Sequence, residues 1–85
     1  MRVNIRVFAR LRDIIGVAEL GRDVPTGTTA QRVWDDLVEE FPDISTYTGS
    51  ISTAVNAEYA KMETVLDDGD EVAFLPPVSG GEFPG

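Results

Sequence analysis

The chain has 85 residues, 42% of them hydrophobic, which suits one small globular domain and leaves no room for a second core. It contains no cysteine and no histidine, which excludes disulfides, thiolate metal sites and the commonest general base. The net charge is −8, and Lys61 is the only basic residue after Arg32, which argues against nucleic acid as a partner. The negative charge favours either a basic protein as the partner or a role of the charge in solubility alone.

The first part of the chain predicts a strand, a short helix and a second strand. Residues 2–8 alternate between apolar and polar side chains, which is typical of a strand with one buried face. Apolar residues fall at helical spacing over residues 10–15, and Gly16 can end that helix. Residues 17–24 form a weaker strand, and the short connection predicts antiparallel pairing with the first.

The strongest periodic signal predicts one long helix in the middle of the chain. Thr28 and Gln31 form a capping-box pattern for its start, and Pro42 ends it. Six apolar residues recur at steps of three and four and predict a core-facing stripe: Ala30, Val33, Trp34, Leu37, Val38 and Phe41. Four acidic residues lie off that stripe and are interpreted as a solvated face: Asp35, Asp36, Glu39 and Glu40.

The second half of the chain reads as a series of short elements. In order, these are a polar, turn-rich stretch at 43–50, an alternating strand at 51–55, a turn at 56–58 and a short segment at 59–62. Val65 and Leu66 are then predicted to enter the core. Residues 67–70 form a tight turn before the last strand, 71–75.

This order of elements predicts an α+β fold of the β-grasp (ubiquitin-like) type. We expect a mixed sheet of four to five strands with one main helix packed on one face, and with the first and last strands side by side. Residues 1–75 would form the domain, 76–81 a flexible tail ending in two glycines, and 82–85 an extension of uncertain origin. Because no apolar run could span a bilayer and the start lacks a signal-peptide pattern, we expect a cytoplasmic protein without membrane contact.

Chemistry within the predicted domain is sparse. The acidic residues of segment 67–71 lack the spacing of a calcium loop, so a solvated turn is the better interpretation and no metal site is predicted. Gly80 and Gly81 match no phosphate-binding loop, because no helix follows them. The carboxyl group of a tail ending at Gly81 remains as the reactive group, since an activated carboxyl can be attacked by a sulfur or nitrogen nucleophile.

Three segments carry a family resemblance. Residues 68–81 read Asp-Gly-Asp-Glu-Val-Ala-Phe-Leu-Pro-Pro-Val-Ser-Gly-Gly, residues 55–58 read Val-Asn-x-Glu, and residues 8–12 read Phe-Ala-x-Leu-Arg. Together they resemble the small subunits of molybdopterin synthase, in the MoaD-type and thiamine-sulfur-carrier group of ubiquitin-like proteins. The likeness in layout runs from Met1 to Gly81 and is most specific in residues 68–81.

The resemblance implies a sulfur carrier that is a non-catalytic subunit of a sulfurtransferase complex. An E1-like enzyme, using ATP and Mg, would adenylate Gly81, sulfur transfer would give a thiocarboxylate, and the large synthase subunit would use it to build the dithiolene of molybdopterin. The chain itself would bind no cofactor. The resemblance implies seven further residues in partner binding: Phe74, Leu75, Pro76, Pro77, Val78, Ser79 and Gly80. The first two would anchor the interface, and the last four would thread the partner's pocket.

One departure and two alternatives remain at this point. Family members end at the second glycine, whereas Glu82-Phe83-Pro84-Gly85 follows it here; a cloning remnant, a trimmed precursor or loss of carrier function would each explain that. The first alternative function is an archaeal-type ubiquitin-like modifier, conjugated to protein lysines through Gly81. The second is a β-grasp interaction domain without acyl chemistry.

Overall fold

A computed structural model describes residues 1–77, which contain a five-stranded mixed sheet, two α-helices and a 3-10 helix. In chain order the elements are β1 (Arg2–Val7), α1 (Ala9–Ile15), β2 (Glu19–Asp23), α2 (Ala30–Glu40), the 3-10 helix (Pro42–Tyr47), β3 (Ser52–Val55), β4 (Glu58–Tyr59) and β5 (Glu71–Leu75). The strand order is β2-β1-β5-β3-β4. Only the β1–β5 pair is parallel among these strands. The predicted β-grasp arrangement is therefore confirmed, with the last strand at the centre.

The two faces of the sheet follow from the alternation of side chains along each strand. Val3, Ile5 and Val7 of β1 are buried under α2, and so are Val72 and Phe74 of β5. The residues between them point to the opposite face, which no helix covers in residues 1–77. The sheet therefore has one face in the core and one open face.

The start of α2 differs from the prediction by one residue. Thr29, not Thr28, is the N-cap, because its hydroxyl oxygen accepts a hydrogen bond from the Arg32 amide at 3.2 Å. The Thr28 hydroxyl instead donates to the Pro25 carbonyl at 2.6 Å, within the preceding turn. Gln31 donates its side-chain amide to Asp35 at 2.9 Å rather than returning to the cap. The helix ends at Glu40, before Pro42, as predicted.

The core is centred on Trp34, which is fully buried and lies 5.1 Å from the Phe74 ring, centroid to centroid. Its indole N–H donates to the Thr48 hydroxyl at 3.0 Å, so the buried polar atom is satisfied. The 3-10 helix was missed by the sequence prediction, which gave 43–50 as turns; it delivers Ile44 to the core as a fully buried residue.

The segment before β5 contains one wrong prediction. Leu66 is buried as expected, but Val65 is 59% exposed. Val65 forms an isolated antiparallel bridge with Thr29, so its neighbour Leu66 faces inward while Val65 faces out. Within residues 1–77, no helix is both long and apolar enough to cross a membrane.

Candidate functional site: a groove beside the exit of the tail

The chain leaves the sheet at the end of its central strand. β5 ends at Leu75, and Pro76 and Pro77 follow, neither of which has a backbone N–H to continue a ladder. Leu75 and Pro76 are half-buried and Pro77 is exposed. The other residues predicted for partner binding and acyl transfer lie outside the described part of the chain: Val78, Ser79, Gly80 and Gly81.

Phe74 differs from the other predicted partner-binding residues that the structure describes. Its side chain is 0% exposed and packs against Trp34, on the core side of β5. A partner on the open face could not reach that ring. Phe74 thus contributes to the core, and the surface available for docking begins at Leu75, whose side chain points to the open face.

Strand register aligns four residues in one row across the open face. Arg6 pairs with Ala73, Ala73 with Ala54, and Ala54 with Tyr59, so the row crosses β1, β5, β3 and β4. The two alanines are short and form a low floor between taller side chains. The result is an open groove of about 280 Å³, lined by Arg6, Phe8, Ala54, Ala57, Tyr59, Glu71, Ala73 and Leu75.

The outer wall of the groove is a hairpin that presents an exposed aromatic ring. β3 and β4 are joined by the two-residue turn Asn56-Ala57, in which both residues have positive φ, 51° and 70°. This is the pattern of a type I′ turn, whose twist matches the strands that it joins. Tyr59 follows the turn and is 82% exposed. A large side chain so exposed on an apolar floor is typical of a contact surface.

Hydrogen bonds tie this hairpin to the start of β5. The Asn56 side chain accepts from the Glu71 amide at 3.0 Å and donates to Asp70 at 2.9 Å. Asp70 also accepts from the Asp67 amide at 2.7 Å. The bond from the Asp67 backbone, followed by that from Asn56, lowers the pKa of the Asp70 carboxyl below its ordinary value, because both stabilise the carboxylate. These hydrogen bonds therefore fix the β3–β4 turn against the start of β5.

The charged rim of the groove is made by Arg6 and Glu71. The Arg6 guanidinium lies over the Phe8 ring, 5.3 Å from its centroid, and its Nη1 is 3.9 Å from a Glu71 carboxylate oxygen. Within residues 1–77, Arg6 Nε is a buried donor without a hydrogen-bond partner. Residues 1–77 also contain no group of three or more carboxylates arranged to hold a metal ion. An apolar floor with a charged rim is more typical of a surface that binds another protein than of a site that binds a small-molecule substrate.

Sequence reasoning identified the end of β5 and missed most of the groove. Leu75, Pro76 and Pro77 were predicted as partner contacts, whereas Arg6, Tyr59 and the alanines of the floor were not. Alternation within each strand could have put Ala73 and Leu75 opposite the core residues of β5. The alignment across four strands could not be read in this way, because it depends on pairing between segments distant in sequence.

Comparison with known proteins identifies the family of this chain. The model of the ThiS family matches residues 5–81, which include the strands of the groove and the tail. The chain belongs to the ThiS family. Among curated relatives, the molybdopterin synthase sulfur carrier subunit of Arabidopsis thaliana is 35% identical over 81 residues, covering 95% of this chain and 84% of that protein. The protein of the same name from Mycobacterium tuberculosis is 34% identical over 82 residues, covering 95% of this chain and 99% of that protein.

Solved structures extend the ThiS family assignment to the fold. SAMP1, the small archaeal modifier protein 1 of Haloferax volcanii, superposes with a TM-score of 0.83 at 30% sequence identity, covering 95% of this chain and 100% of that one. The chain is therefore similar in sequence to proteins named as sulfur carrier subunits, and in fold to a protein named as a modifier.

Proposed function

We propose that this chain, when it ends at Gly81, is the sulfur carrier and small subunit of a molybdopterin synthase, with the carboxyl group of Gly81 as its reactive group. The observation that carries the proposal is geometric: the tail leaves the central strand at the edge of an exposed apolar groove. The names of the Arabidopsis and Mycobacterium relatives, which are sulfur carrier subunits, support the same function. A small subunit of a synthase functions together with a large subunit, and the large subunit would be the partner that docks on the groove.

The chemistry would take place in two steps, both catalysed by partners. In the chain ending at Gly81, that is, after hydrolysis of the Gly81–Glu82 peptide bond, a carboxylate oxygen of Gly81 attacks the α-phosphorus of ATP, pyrophosphate leaves, and a mixed anhydride with AMP forms. A sulfur donor at the oxidation level of sulfide then attacks the carbonyl carbon, so a C–S bond forms, the C–O bond to AMP breaks, and a thiocarboxylate results. The ATP and its Mg belong to an E1-like activating enzyme. The large subunit would then use the sulfur to build the dithiolene of molybdopterin.

The reach of the tail connects this chemistry with the groove. Residues 76–81 span at most about 20 Å when fully extended. The active site that receives Gly81 must therefore lie within about 20 Å of Leu75, and the groove is an exposed surface lined by Leu75 itself. Two glycines at the end fit a narrow channel, because they have no side chain to block it. Exclusion of water from that channel would protect the activated acyl group from hydrolysis.

The test uses the chain ending at Gly81. We expect its incubation with an E1-like enzyme, ATP and a sulfide-level sulfur donor to give the mass change of one oxygen replaced by sulfur, with Gly81 as the modified residue. The chain ending at Gly85 is the matched control and should stay unmodified at Gly81, where no carboxyl group is available. An unchanged mass for the chain ending at Gly81 would refute the carrier function.

A second candidate function is that of a protein modifier. It is favoured by the likeness to SAMP1, a protein named as a modifier, at 30% identity. In this function a lysine amine would displace AMP from the same activated carbonyl, forming an amide bond and losing a proton. Cells producing a tagged chain ending at Gly81 would then contain higher-mass conjugates on immunoblots. Because Lys61 is the last basic residue of the chain, trypsin would leave residues 62–81 attached to the acceptor lysine, and peptides with this branch would identify the acceptors. If no such peptide is found, only the carrier function remains.

A further inference from the structure

Ala57 has a backbone conformation that alanine normally avoids. It is the second residue of the β3–β4 turn, with φ at 70°. In this left-handed region the Cβ of an L-residue approaches its own backbone too closely, whereas glycine has no such contact. Asn-Gly is accordingly the preferred pair for a type I′ turn, and Asn56 in front is the expected first residue. The turn would thus be more stable with glycine at position 57.

The methyl group of Ala57 has no packing role in the described fold. Ala57 is exposed, and it belongs neither to the buried core nor to the partly buried apolar residues packed against it. The methyl group instead lines the groove, beside the floor residues Ala54 and Ala73. Its strain is therefore not compensated by any apolar contact with the core within residues 1–77.

We propose that the Ala57 methyl group is a contact for the docked large subunit and is retained at the expense of turn stability. This inference rests on the proposed function. The occupant is an apolar side chain of the large subunit, because that subunit must lie within about 20 Å of Leu75 to receive Gly81, and Leu75 and Ala57 line the same groove. Backbone strain kept at a surface that binds a partner is a recurrent use of such strain.

The structure provides a matched control for the test. Ala9, at the start of α1, also has positive φ, 52°, and is exposed, but it does not line the groove. Ala57→Gly and Ala9→Gly should each relieve strain and raise Tm by about 3 °C. Titration calorimetry with the large subunit encoded in the same genome should show a Kd about four times higher for Ala57→Gly, from the loss of one buried methyl group. Ala9→Gly should leave Kd unchanged.

Opposite changes in stability and affinity at position 57 would support the inference. A Tm that does not rise would show that the turn is unstrained, and an unchanged Kd would show that the methyl group makes no contact; either result overturns the inference. Conversion of the unsubstituted chain ending at Gly81 to a thiocarboxylate separates this failure from failure of the proposed function, which would remain valid. If that chain neither binds the large subunit nor accepts sulfur, the proposed function and the inference both fail.

Discussion

Replacing Tyr59 by alanine should separate docking from folding. The ring is 82% exposed in the isolated chain, so its removal should change the free energy of unfolding by less than about 0.5 kcal/mol. If the large subunit covers the groove, the same ring becomes buried on binding. Truncating an aromatic contact that becomes buried on binding costs about 2 kcal/mol of binding free energy, which raises Kd about 30-fold. Titration calorimetry and urea unfolding would measure the two quantities on the same samples.

The control for this prediction is Val17→Ala. Val17 is another exposed apolar residue, at 46% exposure, but it precedes β2 and does not line the groove. Its truncation should leave Kd unchanged. Equal affinity of the Tyr59→Ala chain and the unsubstituted chain would refute the assignment of the groove as the docking surface. A fall of more than about 1 kcal/mol in unfolding free energy would instead show that Tyr59 is a structural residue.

Three further predictions concern the hydrogen bonds and the tail. Hydrogen bonds depress the pKa of Asp70 in the folded chain, so the stability that they add is complete above about pH 4 and is lost as the pH falls through the folded-state pKa. In urea unfolding, Asp70→Asn should therefore have a lower free energy of unfolding than the unsubstituted chain at pH 6, and this difference should shrink in acid. Thr48→Val should cost about 1–2 kcal/mol in urea unfolding, since the buried Trp34 indole N–H loses its acceptor, and an unchanged midpoint would contradict this. In the chain ending at Gly81, Gly80→Val should abolish thiocarboxylate formation yet shift Tm by less than about 1 °C, because every core residue in the part of the chain that the structure describes precedes Leu75. A large loss of Tm would mean that the tail is structural.

The fold could be predicted because its signals are local. The alternation of residues 2–8, the stripe on α2 and the prolines at 42 and 76 each reflect a preference that acts within a few residues. The errors arose where a tertiary contact competed with such a preference. Thr28 resembles a helix cap, but it is used by the preceding turn, and Val65 is apolar but faces solvent because it bridges to Thr29.

The sequence by itself determined the class of fold and predicted the chemistry of the chain. The absence of cysteine and histidine excludes thiolate and imidazole groups, and two prolines followed by two glycines predict a tail that leaves the sheet. Only the tertiary structure showed the groove that we propose as the docking surface. The row of Arg6, Ala73, Ala54 and Tyr59 comes from four strands, and its alignment depends on backbone hydrogen bonds between segments up to 67 positions apart, such as Arg6 and Ala73. Those bonds use the same groups in every residue, so side-chain patterns along the chain do not specify which residues they bring together.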